Sequence, residues 1–174
     1  MKNDLNLMPT SPTACLALLD HLNIAYENHE HEAVFTVAES EKVDKQIDAH
    51  HTRNMYLRTK KKQNFLITLS HDSPVDIKKL ADALDVKNFS FGSSDRLMDL
   101  LGVFPGSVTP LSSMNASPDD VTIILEEKMM AATHVAFHPL INTMTVVITP
   151  NDLLKFLDHF GHKPIIVNME SLAP

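Results

Sequence analysis

The sequence predicts an α/β fold of the α+β kind: a single domain with a mixed β-sheet flanked by helices. Three observations lead there. Segments of helical and of strand periodicity are interspersed without the strict βαβ alternation of a doubly wound sheet. The length, 174 residues, is what one domain usually needs, and at that size folding hides enough surface to support a core. No repeat, low-complexity stretch or linker interrupts positions 1–174, and the apolar share of 44% and charged share of 21% are those of a globular protein.

The elements follow in order. Ser11-Pro12 is a cap followed by proline, and Cys15, Leu16, Leu18, Leu19 and Leu22 come at helical spacing, so a first helix runs to about Leu22. An extended stretch covers Ile24 to Asn28. Thr36 and Glu39 then stand three apart, as in a capping box, and open a second helix. Asn54 to Thr59 and Phe65 to Ser70 are β-rich runs separated by polar Lys60 to Asn64, which reads as a hairpin with Arg53 at the far end of its first strand. Ile77, Leu80, Ala81 and Leu84 mark a helix with Asp76 at its start, where the dipole favours an acid. Ser93 or Ser94 caps the next, which carries Leu97, Leu100 and Leu101 and stops at Gly102. Pro105-Gly106 and Pro110 force a tight loop over Phe104 to Pro110. Strands are expected at Val121 to Leu125, Val135 to Phe137 and Met144 to Thr149. A final helix starts at Thr149-Pro150, buries Leu153, Leu154, Phe156, Leu157 and Phe160, and ends at Gly161; Pro164 to Asn168 forms a last strand.

Composition removes several function classes. No apolar run approaches the roughly 20 residues of a membrane helix, and MKNDLNLMPTSP lacks a basic stretch followed by an apolar core, so the chain reads as soluble, unexported and cytoplasmic. Cys15 is the only cysteine; it excludes an internal disulfide and a thiolate-rich zinc site, and its apolar neighbours place it in the core. A net charge of −7 argues against broad binding along nucleic acid, so such a partner must be gripped locally. The run Arg53, Arg58, Lys60, Lys61 and Lys62 is the densest positive segment and supplies a candidate grip; it reads equally as a solvated hairpin tip.

The four glycines form neither GxGxxG nor GxxxxGK[ST], which removes the common nucleotide-cofactor loops. GxSxG is absent. Ten histidines invite a metal reading, yet there is no HExxH, and His29-x-His31 on a strand is also the pattern of a solvated edge; no metal site is assigned. Three segments join polar groups to a backbone breaker at the end of an apolar run: His51-Thr52-Arg53-Asn54, Gly106-Ser107-Val108-Thr109-Pro110, and His138-Pro139-Leu140-Ile141-Asn142-Thr143. A rigid scaffold can hold such segments over a cleft. Spacing alone also allows them to be turns.

The ordered set His31-Glu32-Ala33-Val34-Phe35-Thr36-Val37-Ala38-Glu39-Ser40, Leu57-Arg58-Thr59-Lys60-Lys61, Phe89-Ser90-Phe91-Gly92-Ser93, Leu101 to Pro110, and His138-Pro139-Leu140 with Asn142-Thr143 resembles the free-standing prolyl-tRNA editing deacylases. These are relatives of the editing domain inserted into bacterial prolyl-tRNA synthetases. The resemblance runs from the first helix to Gly161-His162-Lys163-Pro164. It implies a twisted mixed sheet packed with helices (the YbaK-like editing fold) and hydrolysis, in trans, of the ester joining a wrong amino acid, typically alanine, to tRNA(Pro). It implies catalytic roles for Arg53, Asn54 and His138, and an aminoacyl site formed by Phe35, Thr36, Gly106, Ser107, Val108, Thr109, Pro110, Asn142 and Thr143. Lys60, Lys61 and Lys62 would meet the tRNA. The implied partners are the acceptor end of mischarged tRNA(Pro) and prolyl-tRNA synthetase, with no metal or organic cofactor.

One departure stands out. Where the family usually carries lysine in a His-Thr-Lys-Asn context, this chain has His51-Thr52-Arg53-Asn54, preceded by Asp48, Ala49 and His50 in place of the common glycines. Arginine keeps the charge and can fork onto a phosphate, but it is larger and never a neutral amine near pH 7. Three readings follow: an alanyl-tRNA(Pro) hydrolase, an enzyme shifted to another small aminoacyl group, and a tRNA-binding or synthetase-associated module without turnover.

Overall fold

The computed structural model describes residues 4–33 and 37–174. Its helices are α1 (Pro12–His21), α2 (Val37–Asp44), α3 (Ile77–Ala83), α4 (Ser94–Leu101), α5 (Glu127–Met130) and α6 (Pro150–His159). The strands are β1 (Glu27–Glu30), β2 (His50–Arg58), β3 (Asn64–Ser70), β4 (Ser90–Phe91), β5 (Val121–Glu126), β6 (Val135–Phe137), β7 (Met144–Ile148) and β8 (Ile165–Val167). They form one mixed sheet in the order β1-β7-β6-β2-β3-β5-β8, with β4 also on β2. The β2–β3, β6–β7 and β1–β7 pairs are antiparallel, whereas β2–β6, β3–β5 and β5–β8 are parallel.

Alternation along the central strands supplies both faces of the sheet with apolar side chains. Leu66, Ile123 and Leu125 join Leu97, Leu101, Leu111, Leu153 and Phe156 in the larger core under α1, α4 and α6. Phe65, Ile67, Leu69 and Ile124 turn the other way, with Met55, Leu57 and Leu80. A smaller cluster of Ile47, Ala136 and Val147 lies beyond α2. Cys15 is fully buried, as its neighbours foretell.

The caps behave as the sequence indicates. Ser11, Asp76, Ser93 and Thr149 each accept backbone N–H groups at a helix start. Gly102 ends α4 with a left-handed φ of 64°. Thr36, the expected cap of α2, lies outside the described residues. A 3-10 turn at Pro110–Asn115 follows the irregular Phe104–Thr109 stretch, and buried His162 fixes it by an Nε2–H shared between the Ser113 and Ala116 carbonyls at 3.0 and 3.1 Å.

Two boundaries differ from expectation. β2 begins at His50, four residues before Asn54, because His50 and His51 pair in parallel with Val135 and Ala136. Nothing in the polar run His50-His51-Thr52-Arg53 announces that long-range partnership. The first strand is Glu27–Glu30 rather than Ile24 to Asn28; it is an edge strand on β7 with mostly exposed side chains. Short β4 and α5 were not foreshadowed by any periodicity.

The end of α2 is pinned to β2 by one ring. His51 Nδ1 lies 3.0 Å from Asp44 Oδ1, and its Nε2 lies 2.9 Å from the Ile47 carbonyl oxygen. Burial opposes a charge there, but the Asp44 carboxylate and the Ile47 carbonyl outweigh it and raise the pKa above its ordinary value. Both nitrogens then donate, as an imidazolium. A folded-state pKa raised above the unfolded value gives stability that is complete below about pH 6.5 and lost as pH climbs through the folded pKa. His50 and His138, held low mainly by burial, act with the opposite sign, on the acid side. The difference between wild type and Asp44→Asn isolates the pin. Its Tm advantage should be about 2–4 °C near pH 6, taking about 1 kcal/mol for a largely covered pair, and should vanish by pH 9. An advantage independent of pH, read by thermal melts across that range, would show that His51 carries no charge there.

Candidate active site

The site is built from the way β2 shares its edges. On one side β3 pairs with it from Thr52 to Arg58. On the other, β6 pairs only at His50 and His51, and β4 only at Leu57 and Arg58. Among the described residues, no strand pairs with Arg53–Met55 on that edge. Where β6 parts from β2, the Thr52 hydroxyl holds the junction by donating to the Ala136 carbonyl at 2.8 Å. A recess of about 40 Å³ opens there, bordered by Asp44, His51, Asn54, Ala136, His138 and Thr145.

His138 follows the last residue of β6, and its Nδ1–H donates to the Met144 carbonyl at 2.9 Å. A carbonyl can only accept, so the bond selects the tautomer with a lone pair on Nε2. Burial lowers its pKa, and nearby His31 adds to the effect, so the ring is neutral at pH 7. His31 supports the same corner: its Nδ1–H donates to the Glu32 carbonyl at 2.8 Å, and its Nε2 accepts from the Thr145 hydroxyl at 2.9 Å. The two imidazole rings are 6.3 Å apart. The recess therefore holds one ring, His51, whose two nitrogens both face acceptors and favour the cation, and one neutral ring, His138, with a basic nitrogen.

Asn54 and Arg53, adjacent in sequence, are separated by the pleat. Asn54 shares a face with Thr68, whose hydroxyl donates to its Oδ1 at 2.7 Å, so the donor end of the amide is what it can offer a ligand. Arg53 turns to the opposite face with Leu69, two residues and about 7 Å along from His51. Its guanidinium does not border the recess. Nη2–H instead donates to the Ser73 carbonyl at 2.6 Å, while Nε–H is buried with no acceptor among the described residues.

The Gly106–Pro110 loop and the 138–143 turn meet. Gly106 has φ 87°, a left-handed conformation that favours glycine, and a Cβ placed there would lie 3.6 Å from Asn142 Nδ2. Ser107 and Thr109 point inward and are buried; Thr109 Oγ1 accepts the Leu111 N–H, and its carbonyl accepts from the Ser112 hydroxyl. Gly106 is exposed and Val108 half-buried, so these two residues are what the Gly106–Pro110 loop shows to the outside. In the facing turn, Leu140 has φ 67° with its side chain wholly buried, a conformation of order 1–3 kcal/mol uphill that persists because the core grips the side chain. Asn142 is buried and Thr143 half-buried, the latter accepting the His31 N–H at 3.0 Å.

The structure thus brings Asn54 and His138 to one recess and joins Gly106 to the Asn142 turn. Phe35 and Thr36 lie outside the described residues. Lys60, Lys61 and Lys62 are exposed at the β2–β3 tip, about 20 Å along the strand from Asn54. Asp44 and Thr145 were not singled out by sequence, and His31 was noted there only as a possible metal ligand or edge residue and as part of the motif set; the pairing of β1 with β7 carries it to Thr145. Among the described residues, no group of three His, Cys, Asp or Glu side chains is arranged to hold a metal ion, and no helix is long and apolar enough to cross a membrane.

Comparison with known proteins finds relatives along most of the chain. A prolyl-tRNA editing protein, ProX, of Acetoanaerobium sticklandii is 33% identical over 150 residues, covering 86% of this chain and 92% of the relative. The prolyl-tRNA synthetase associated domain-containing protein 1 of Danio rerio is 34% identical over 154 residues, covering 87% and 84%. The fold matches the crystal structure of a candidate trans-editing enzyme for prolyl tRNA synthetase, with a TM-score of 0.70 at 15% identity over 92% of this chain and 97% of the other. Residues 31–156 match the model of the aminoacyl-tRNA editing domain, and they span both the recess and the Gly106 loop. This chain belongs to the aminoacyl-tRNA editing domain family.

Proposed function

We propose that this protein, acting as one cytoplasmic editing unit, hydrolyses mischarged tRNA(Pro) in trans, with alanyl-tRNA(Pro) as its main substrate. The observation that carries the reading is the recess beside neutral His138. Asn54 and His138 both border it, and its volume of about 40 Å³ leaves room for a placed water beside an ester. Exclusion of proline by size at the aminoacyl site is part of the proposal. The names of the relatives, a prolyl-tRNA editing protein and prolyl-tRNA synthetase associated proteins, support tRNA(Pro) and a synthetase partner.

The chemistry needs no metal or organic cofactor. An aminoacyl ester is activated, and hydrolysis requires a placed water and stabilisation of the carbonyl oxygen. Water adds to the carbonyl carbon, and the bond to the ribose oxygen breaks. The proton that the attacking water gives up passes, directly or through the neighbouring hydroxyl, to the leaving ribose oxygen. His138 Nε2 orients the terminal adenosine or the water, and the Asn54 amide donates at the same end. The Gly106–Pro110 backbone, with Asn142, Thr143, Phe35 and Thr36, encloses the aminoacyl group. Arg53, whose buried Nε–H lacks an acceptor among the described residues, holds an anionic group of the acceptor end.

A panel of aminoacyl-tRNAs tests the function: alanyl-tRNA(Pro) should be cleaved on the order of 10–200 times faster than prolyl-tRNA(Pro), and His138→Ala should lower its kcat/KM about 100-fold while leaving Tm near wild type. Equal cleavage of both would overturn the size sieve, and a collapsed Tm would make His138 structural.

A second reading, a tRNA-binding module without turnover, is favoured by the Arg53 guanidinium being tied to the Ser73 carbonyl. Arg53→Ala should lose about 10–100-fold in kcat/KM if the charge is used, and Arg53→Lys should retain or raise activity. Hydrolysis in none of the three forms, together with weaker tRNA binding by Arg53→Ala, would establish the module instead.

The hairpin tip is tested apart from the chemistry. Replacing Lys60, Lys61 and Lys62 together by Gln should weaken tRNA binding and reduce the salt slope by about one to three units, with little effect on alanyl-adenosine. An unchanged slope would leave the three lysines as a solvated turn.

A further inference from the structure

Glu126, the last residue of β5, is 1% exposed and has no part in the chemistry described above. A carboxylate removed from water is tolerated only when its oxygens are satisfied. Here Oε2 accepts the Ser70 backbone N–H, and Oε1 accepts the Ser73 hydroxyl. One donor is the last residue of β3 and the other lies in the loop that leads from it to α3. An acceptor-only group suits this pair of inward donors, whereas an amide would have to turn an N–H2 toward one of them. The loop is also tied from outside, where Lys128 Nζ reaches Asp72 at 3.0 Å, and at its start, where His50 Nε2 lies 2.7 Å from Ser70 Oγ.

The consequence falls on Arg53. Among the described residues its side-chain hydrogen-bond acceptor is the carbonyl of Ser73, the same residue whose hydroxyl Glu126 holds. A relay therefore crosses from β5 through the loop to β2, ending at the Arg53 guanidinium on the face of β2 opposite Asn54. We propose that Glu126 is a positioning residue of the editing site: by fixing Ser70 and Ser73, it places the carbonyl that aims Arg53 at the anionic end of the substrate. This rests on the reading of Arg53 as the anion holder.

The test compares Glu126→Gln and Ser73→Ala in wild-type and Arg53→Ala backgrounds, with kinetics on alanyl-tRNA(Pro) and the NMR resonance of the Arg53 Nε–H. Glu126→Gln should lower kcat/KM about 10–100-fold, mainly through KM, because a displaced contact of this size suffices. It should shift the Arg53 resonance and add no loss in the Arg53→Ala background. Ser73→Ala, which removes the hydroxyl and keeps the carbonyl, should show a smaller loss with the same dependence on Arg53, and it carries the test if Glu126→Gln fails to fold. Equal losses in both backgrounds, or an unmoved Arg53 resonance, would overturn the positioning role and leave Glu126 as a structural acid. Arg53→Ala as active as wild type would overturn the Arg53 reading and this role together; a resonance that still responds to Glu126→Gln would show that the failure lies in the chemistry and not in the relay.

Discussion

The structure depends on the unequal pairing of β2. One edge is zipped to β3 from Thr52 to Arg58, which fixes the strand in the sheet and sets which side chains face which core. The other edge is divided between β6 and β4, each holding two residues. A sheet that closed along this edge would have no recess. Partial closure leaves a break in the middle of a rigid sheet, where side chains from α2, β2, β6 and β7 converge and flanking strands keep them still. Precision there comes from strands rather than from mobile loops.

Around that break, chemistry is sorted by hydrogen-bond partner. His51 and His138 are the same residue type at the same recess, yet a carboxylate with a carbonyl makes one a cation, while a single carbonyl and burial keep the other neutral. The acidic chain keeps its positive charge for particular places. Arg53 is tied to the loop after β3, and the lysines stand in the turn beyond the far end of the same strand. An acidic protein can in this way address a polyanion locally without binding it everywhere.

Much of this was legible in the sequence because the signals were local. Ser11-Pro12, Asp76, Ser93 and Thr149-Pro150 fixed helix starts through their own side chains, and the β2–β3 hairpin followed from two β-rich runs around a polar turn. The Gly106–Pro110 and His138–Thr143 segments stood out through their breakers, and they meet in the fold. What sequence could not give was set by partners far along the chain. His50 and His51 are strand residues only because Val135 and Ala136 lie beside them. Arg53 and Asn54 looked like one catalytic pair, but the pleat turns adjacent residues to opposite faces, and the Ser73 carbonyl claims the guanidinium. Thr145 and Glu126 gave no signal, since a threonine or a glutamate in a strand reads as an ordinary solvent-facing residue until the tertiary fold buries it.

The Gly106–Pro110 loop buries Ser107, Thr109 and Pro110, and it meets a turn whose own shape is held by a buried leucine in a left-handed conformation. Gly106 is the exposed residue of that loop, and any side chain placed there meets both an unfavourable backbone conformation and Asn142. Substitutions in this corner of the fold are therefore felt first as changes of shape and only second as changes of surface chemistry.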